Sequence, residues 1–122
     1  HPRDASINHE WTRHSEDFEK RIAKVAPGKS LYDNYQDAYK RQYLNVPSMA
    51  IKENHGGTHI HPTLNRVISA REMARLQTFP DTFIFSGTMK RAMWQVGNAV
   101  PVKLAKEIAN ALKAYMSEND II

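Results

Sequence analysis

Apolar residues recur at helical spacing in several stretches of the chain, with shorter strand-like runs between them. Phe18, Ile22 and Val25 follow Ser15 and the acidic pair Glu16-Asp17, and Pro27-Gly28 comes next. A hydroxyl cap, acids in the first turn and a Pro-Gly stop predict a short amphipathic helix over 16–25. Ser69-Ala70-Arg71-Glu72 has the form of a capping box, in which the Ser hydroxyl accepts from the Glu amide and the Glu side chain reaches back. That helix should run to about Phe79, because Pro80 lacks the donor needed to continue it. Thr88 is placed to cap a short helix through Trp94, with Gly97 as its stop. Pro101 suits the first position of a last helix, where its fixed φ costs nothing. Leu104, Ile108, Leu112 and Tyr115 then form one apolar stripe.

The middle of the chain is less regular. Tyr32, Tyr35, Tyr39 and Tyr43 are spaced by three, four and four, with Lys40 and Arg41 among them. They fit either a helix packing a tyrosine stripe or a loop-rich basic and aromatic surface, and composition does not choose. Met49-Ala50-Ile51 and Thr58-His59-Ile60-His61 read as short strands, separated by a glycine turn at Asn54-His55-Gly56-Gly57. No internal repeat or low-complexity tract occurs.

Composition adds a few limits. The 122 residues suit one small domain or part of a larger one, and 41% apolar with 25% charged residues is ordinary for a globular chain. A net charge of +4 suits a polyanionic partner. No apolar run approaches the ~20 residues of a membrane helix, and no signal segment opens the chain. The chain starts His1-Pro2 with no initiator Met, as expected of a fragment, a processed chain or one lacking upstream residues. There is no Cys, which removes disulfides, thiolate zinc sites and a cysteine nucleophile. His59 and His61 alternate and would share one face of a strand, but no carboxylate or Cys completes a set, so no metal site is expected.

Two segments go beyond pattern: 66–81, RVISAREMARLQTFPD, and 95–101, QVGNAVP, about 14 residues further on. In this order they resemble motifs IX and X of the DNA cytosine-5 methyltransferases. Upstream, Asn8-His9, His14-Ser15 and Glu19-Lys20-Arg21-Ile22 resemble the start of that family's target-recognition region. Pro47 to Ile51, Gly56-Gly57 and His61-Pro62 resemble its second half. Ala50 stands where the family often has Thr, whose hydroxyl is expected near a DNA phosphate, and Val102 replaces a frequent second Pro. The family's Gly-rich cofactor motif, Pro-Cys nucleophile motif, Glu-Asn-Val motif and Arg-x-Arg motif have no match in the chain.

The resemblance implies an α+β fragment. A small, irregular β-rich target-recognition region would be followed by helices that pack on an absent Rossmann-like catalytic domain. Residues 1–27 would lead into recognition, 28–68 form the target-recognition region, 69–94 hold the motif IX helix and the segment after it, and 95–122 carry the motif X turn and last helix. The family flips a cytosine out of double-stranded DNA and moves a methyl group from S-adenosylmethionine to C5, after a thiolate adds at C6. With no such sulfur, this chain is expected to be inactive alone and to need a catalytic domain or subunit carrying the missing motifs.

By the same resemblance, Lys40, Arg41, Gln42, Tyr43, Asn54, His55, Gly56 and Gly57 are the candidate DNA contacts. Arg41 is chosen for a base edge, since Arg binds guanine bidentately, with a phosphate contact or a solvated charge as the alternative. Ser69, Arg71, Glu72 and Arg75 are candidate scaffold residues, with Arg71 paired to an acidic group inside the protein. Asn98 and Ala99 would contact S-adenosylmethionine, Gly97 would permit close approach, and the last helix would offer free N–H groups to a carboxylate. An uncovered stripe at Leu104, Ile108 and Leu112 would favour self-association in isolation. A cytoplasmic, nucleoid-associated bacterial protein of a restriction–modification system is the implied setting. A separate specificity subunit and a non-catalytic DNA-binding module are the alternatives.

Overall fold

The computed structural model describes residues 2–34, 38–52 and 59–122. A single 3-10 turn, Ala5–Ile7, opens the chain, followed by helix α1 (Glu16–Ala23), strands β1 (Lys40–Arg41) and β2 (His59–Ile60), and helices α2 (Ala70–Leu76), α3 (Met89–Asn98) and α4 (Val102–Glu118). The result is a small α+β fold.

α1 forms as its signals require. The Ser15 hydroxyl accepts from the Phe18 amide, Glu16, Asp17 and Glu19 occupy the first turn, and Ile22 is fully buried. The described residues of the tyrosine-rich stretch are not helical. Tyr39 has φ 48, a left-handed backbone that interrupts any helical run, and Tyr35 lies outside the described residues. Met49-Ala50-Ile51 forms no strand either.

β1 and β2 pair in parallel, Lys40 opposite His59 and Arg41 opposite Ile60. Isolated bridges extend this small ladder on both sides, Ser30 to Lys40 and Ile60 to Val67. Ile60 also packs with Ile22 and Val25 against Phe18, Leu31 and Tyr39, which seats the ladder on α1.

The larger core lies between α2 and α3. Ile68, Ala70, Met73, Ala74, Phe85, Ala92, Met93 and Val96 form it, with Ile51, Phe79 and Met89 at its edge. Ser69 and Glu72 make the predicted capping box. α2 ends at Leu76, three residues before the expected stop, because Thr78 turns left-handed at φ 59. Asn8 ties the N-terminal segment to this core: its Nδ2 donates to the Phe85 carbonyl (2.9 Å) and its Oδ1 accepts from the Phe85 amide (2.8 Å).

α3 is capped by Thr88 as expected but continues past Trp94 and through Gly97 to Asn98. Gly97 is therefore inside a helix and does not stop it. The turn into α4 is confined to Ala99–Pro101, and Pro101 precedes the first helical residue. α4 buries none of its residues.

Candidate functional site

Three clusters gather the candidate residues. The first surrounds β1. Lys40 is partly exposed and Tyr43 is 49% exposed, but Arg41 is 5% exposed. The Arg41 guanidinium donates to carbonyls from two parts of the chain, the end of α1 and the stretch after β2: Nε to Val25 (2.7 Å), Nη2 to Ile22 (2.8 Å), and Nη1 to His61 (2.8 Å) and Leu64 (3.2 Å). Nη2 also reaches Asn65 Oδ1 at 3.0 Å. The expected base contact from Arg41 is corrected: every guanidinium nitrogen is engaged inside the protein, and no solvated charge remains. Gln42 is likewise buried, and its Oε1 accepts from the Met49 amide at 3.1 Å. The sequence could not show this, because β1 is too short for its burial to be read from alternation.

Lys40 lies in a polar cleft of about 460 Å³ lined also by Gly28, Lys29, Ser30, Tyr32 and Asp33. Lys29 was not singled out from sequence, although the Pro27-Gly28 turn precedes it, whereas Tyr32 belonged to the tyrosine set read as one possible basic and aromatic surface. Gly28 has φ 77, which favours glycine, and a Cβ there would push aside the outer end of the Tyr43 ring. Asn54, His55, Gly56 and Gly57 lie outside the described residues.

The second cluster is centred on α2. Arg66 donates both terminal nitrogens to the Glu72 carboxylate, each at 2.8 Å, and stacks over Trp11 at 4.1 Å. The Ser69 amide donates to Glu72 at 2.7 Å. Burial pushes the Glu72 pKa up, but Arg66 and the Ser69 amide outweigh it and hold the group at about 2. Glu72 is thus a helix cap and an ion-pair partner together. Arg71 is fully buried. Its acidic neighbour, Asp81, is 3.9 Å away, while its hydrogen bonds go to the carbonyls of Ile7 (2.7 Å), Phe83 (2.7 Å) and Pro80 (3.2 Å). The expected acidic pairing is therefore secondary to carbonyl capping. Arg75 takes Asp81 bidentately at the surface, at 2.9 Å for each bond.

The third cluster joins α2 to the α3–α4 turn. Gln77 is buried, and its Nε2 donates to the Val96 and Ala99 carbonyls (3.2 and 3.1 Å). Its own carbonyl accepts from the Val102 amide at 3.0 Å, and Thr78 Oγ1 accepts from the Lys103 amide at 2.9 Å. Two of the N–H groups at the start of α4 are thereby occupied, which corrects the expectation of a free helix N-terminus. Gln77 was not singled out from sequence, although it stands within the 66–81 segment. Gly97 is half-exposed and Asn98 exposed at the end of α3, and Ala99 is half-exposed in the turn that Gln77 holds. Asn98 Nδ2 bonds the Trp94 carbonyl at 3.1 Å.

The two histidines have protein partners. His59 Nε2 lies 3.2 Å from the Ala50 carbonyl, and His61 Nδ1 accepts from the Thr63 and Leu64 amides. Among the described residues no group of three His, Cys, Asp or Glu is placed to hold a metal, and no helix is long and apolar enough to cross a membrane.

A family model described as C-5 cytosine-specific DNA methylase matches residues 2–114. The chain belongs to that family. This DNA methylase chain is 57% identical over 102 residues to a protein of Oceanobacillus iheyensis named as type II methyltransferase M.OihORF3336P, covering 80% of this chain and 22% of that protein. It is 36% identical over 123 residues to type II methyltransferase M.AquIB of Picosynechococcus, covering 89% of this chain and 88% of that protein. Among solved structures it is similar to one titled as a DNA modification methyltransferase encoded within an E. coli prophage. The TM-score there is 0.64 at 32% identity, over 76% of this chain and 24% of that one. The DNA methylase chain thus spans under a quarter of the first relative and of the solved structure, and most of the second relative.

Proposed function

We propose that this chain is the C-terminal, DNA-recognising and cofactor-site-completing portion of a DNA cytosine-5 methyltransferase of a bacterial restriction–modification system. The observation that carries the reading is the pairing of an accessible junction at Gly97–Ala99, where α3 ends and the turn begins, with an α4 that buries none of its residues, in a chain without Cys. The turn fits one wall of a pocket for S-adenosylmethionine. Asn98 supplies an amide, bonded back to the Trp94 carbonyl, and Ala99 a backbone edge whose carbonyl Gln77 holds from behind. One wall does not enclose a ligand, so the remaining walls come from a catalytic module docked along α4.

S-adenosylmethionine supplies the methyl group. The nucleophilic thiolate, absent here, comes from the catalytic module, which makes this chain inactive alone. The chain's own residues recognise and position. Lys29, Tyr32 and Lys40 face the duplex from one cleft, with Tyr43 beside them. The lysines neutralise phosphates, so binding by the isolated chain is weak and falls steeply with salt.

A second reading, a natural split enzyme with this chain as a separate subunit, is favoured by one observation. M.AquIB is a relative of nearly this length, whereas the first relative is several times longer. Both readings are tested by mixing the purified chain with a catalytic module that carries the missing motifs, and measuring label carried from S-adenosylmethionine into duplex cytosine. Label is expected from the mixture and from neither part alone. Transfer by this chain alone would contradict the proposal, and an inert but well-formed complex would mark a non-catalytic DNA-binding module.

A further inference from the structure

We propose that Arg41 is the positioning residue of the DNA-recognition segment: a buried clamp that fixes where the chain leaves β1 and re-enters at β2. It thereby governs how tightly and how selectively the duplex is held. The proposal rests on the methyltransferase reading above.

β1 and β2 pair over two residues each, in parallel. So short a parallel ladder is a weak anchor by itself. Yet these two strands are the two feet of the segment that carries the half-exposed candidate Tyr43, with the candidates at 54–57 outside the described residues. Arg41 supplies the missing anchorage. Its side chain starts on the departing foot and bonds the carbonyls of His61 and Leu64 and the Asn65 side chain, just past the returning foot. From the same guanidinium it reaches the Ile22 and Val25 carbonyls at the end of α1. The C-terminal carbonyls of a helix carry partial negative charge, which suits a cation held without a carboxylate. No ion pair to Arg41 occurs among the described residues. Both feet and α1 are therefore held by one planar fork.

A point charge cannot replace that fork. A guanidinium offers five N–H donors in fixed directions; an ammonium offers three from one atom and cannot hold acceptors at both the end of α1 and residues 61–65. Arg41→Lys keeps the charge and loses the geometry. Asn65→Ala removes a single bond at an exposed position and serves as a graded second variant.

The clamp is read first by amide hydrogen exchange on the chain itself. The amides of Gln42 and His61, bonded to the Ile60 and Arg66 carbonyls, report on the two feet. Arg41→Lys is expected to speed their exchange roughly tenfold or more while Ala92 and Val96 in α3 keep theirs. Asn65→Ala should act in the same direction and less. In the reconstituted complex with the catalytic module, the same variants should raise KM for plasmid DNA, roughly tenfold for Arg41→Lys, with kcat falling less than about twofold. Bisulfite sequencing of that plasmid should show a larger share of methylation away from the main site. General loss of structure would instead lower the active fraction, and so kcat, without moving KM.

Unchanged exchange at Gln42 and His61 would overturn the clamp, as would exchange that rises equally in α3. Local loosening with unaltered KM and site choice would overturn the link to recognition. A wild-type complex that transfers no methyl group would instead bring down the methyltransferase reading, and with it the recognition half of the proposal, while the exchange data would still decide the clamp.

Discussion

α3 and α4 are neighbours in sequence, both are amphipathic, and they end differently. α3 turns Ala92, Met93 and Val96 onto α2 and buries all three. α4 is the longer helix, yet the Leu104, Ile108 and Leu112 of its stripe are 52, 58 and 57% exposed. Its ties to the rest include two backbone amides at its first turn, bonded to Gln77 and Thr78. An apolar stripe declares that a helix needs a partner; it does not say that the partner is in the same chain. Here α3 packs on α2, whereas α4 buries nothing among the described residues, and the change falls at Ala99–Pro101.

The sharpest way to break this comparison is at the buried guanidinium beneath α2. Arg71→Met removes a fully buried guanidinium and leaves the Ile7 and Phe83 carbonyls without it in a part-buried site, and is expected to cost about 3 kcal/mol in chemical denaturation. A loss near zero would mean that the α2 region is not the stable part. Next comes a matched pair of truncations. Val96→Ala in α3 should cost roughly 2 kcal/mol, since Val96 is fully buried. Leu112→Ala in α4 should stay within about 0.5 kcal/mol in the isolated chain. Equal losses would show that α4 already has a partner.

A smaller effect should appear with pH. Glu72 has an ordinary pKa near 4.5 when unfolded and about 2 when folded. Its contribution is therefore complete above about pH 4.5 and lost as pH falls towards 2. Denaturation at about pH 6 and about pH 3 should differ by roughly 1–2 kcal/mol more in the wild type than in Glu72→Gln, after allowing for its one-fifth exposure. The least effect on stability is expected from Ile108→Asp, whose readout is light scattering. The wild-type chain should self-associate at high concentration and the variant should not, because the charge interrupts the only long apolar stripe among the described helices.

Where local rules act alone, the sequence was legible. Ser15, Ser69 and Thr88 cap the helices they were expected to cap, because a cap is a contact within one turn. The α4 stripe was legible for the same reason. Gly97 misled because glycine is a common helix stop, whereas here the Ala99 amide still reaches the Val96 carbonyl and the helix persists to Asn98. Arg41 misled more seriously. Between lysine and glutamine it reads as surface, and its burial depends on carbonyls from Ile22, Val25, His61 and Leu64 brought together only by the fold. Gln77 escaped notice in the same way, since its partners Val96 and Ala99 are distant in sequence. Roles set by long-range carbonyl partners leave no periodic trace.

The central claim, that α4 is the docking face for a catalytic module, is tested most directly by titrating that module with the wild-type chain and with the Ile108→Asp, Leu112→Asp double variant. Calorimetry should show saturable one-to-one binding by the wild type, and a loss of at least roughly tenfold in affinity for the variant, whose free fold is unchanged by circular dichroism. Binding of equal strength by both chains would contradict the account.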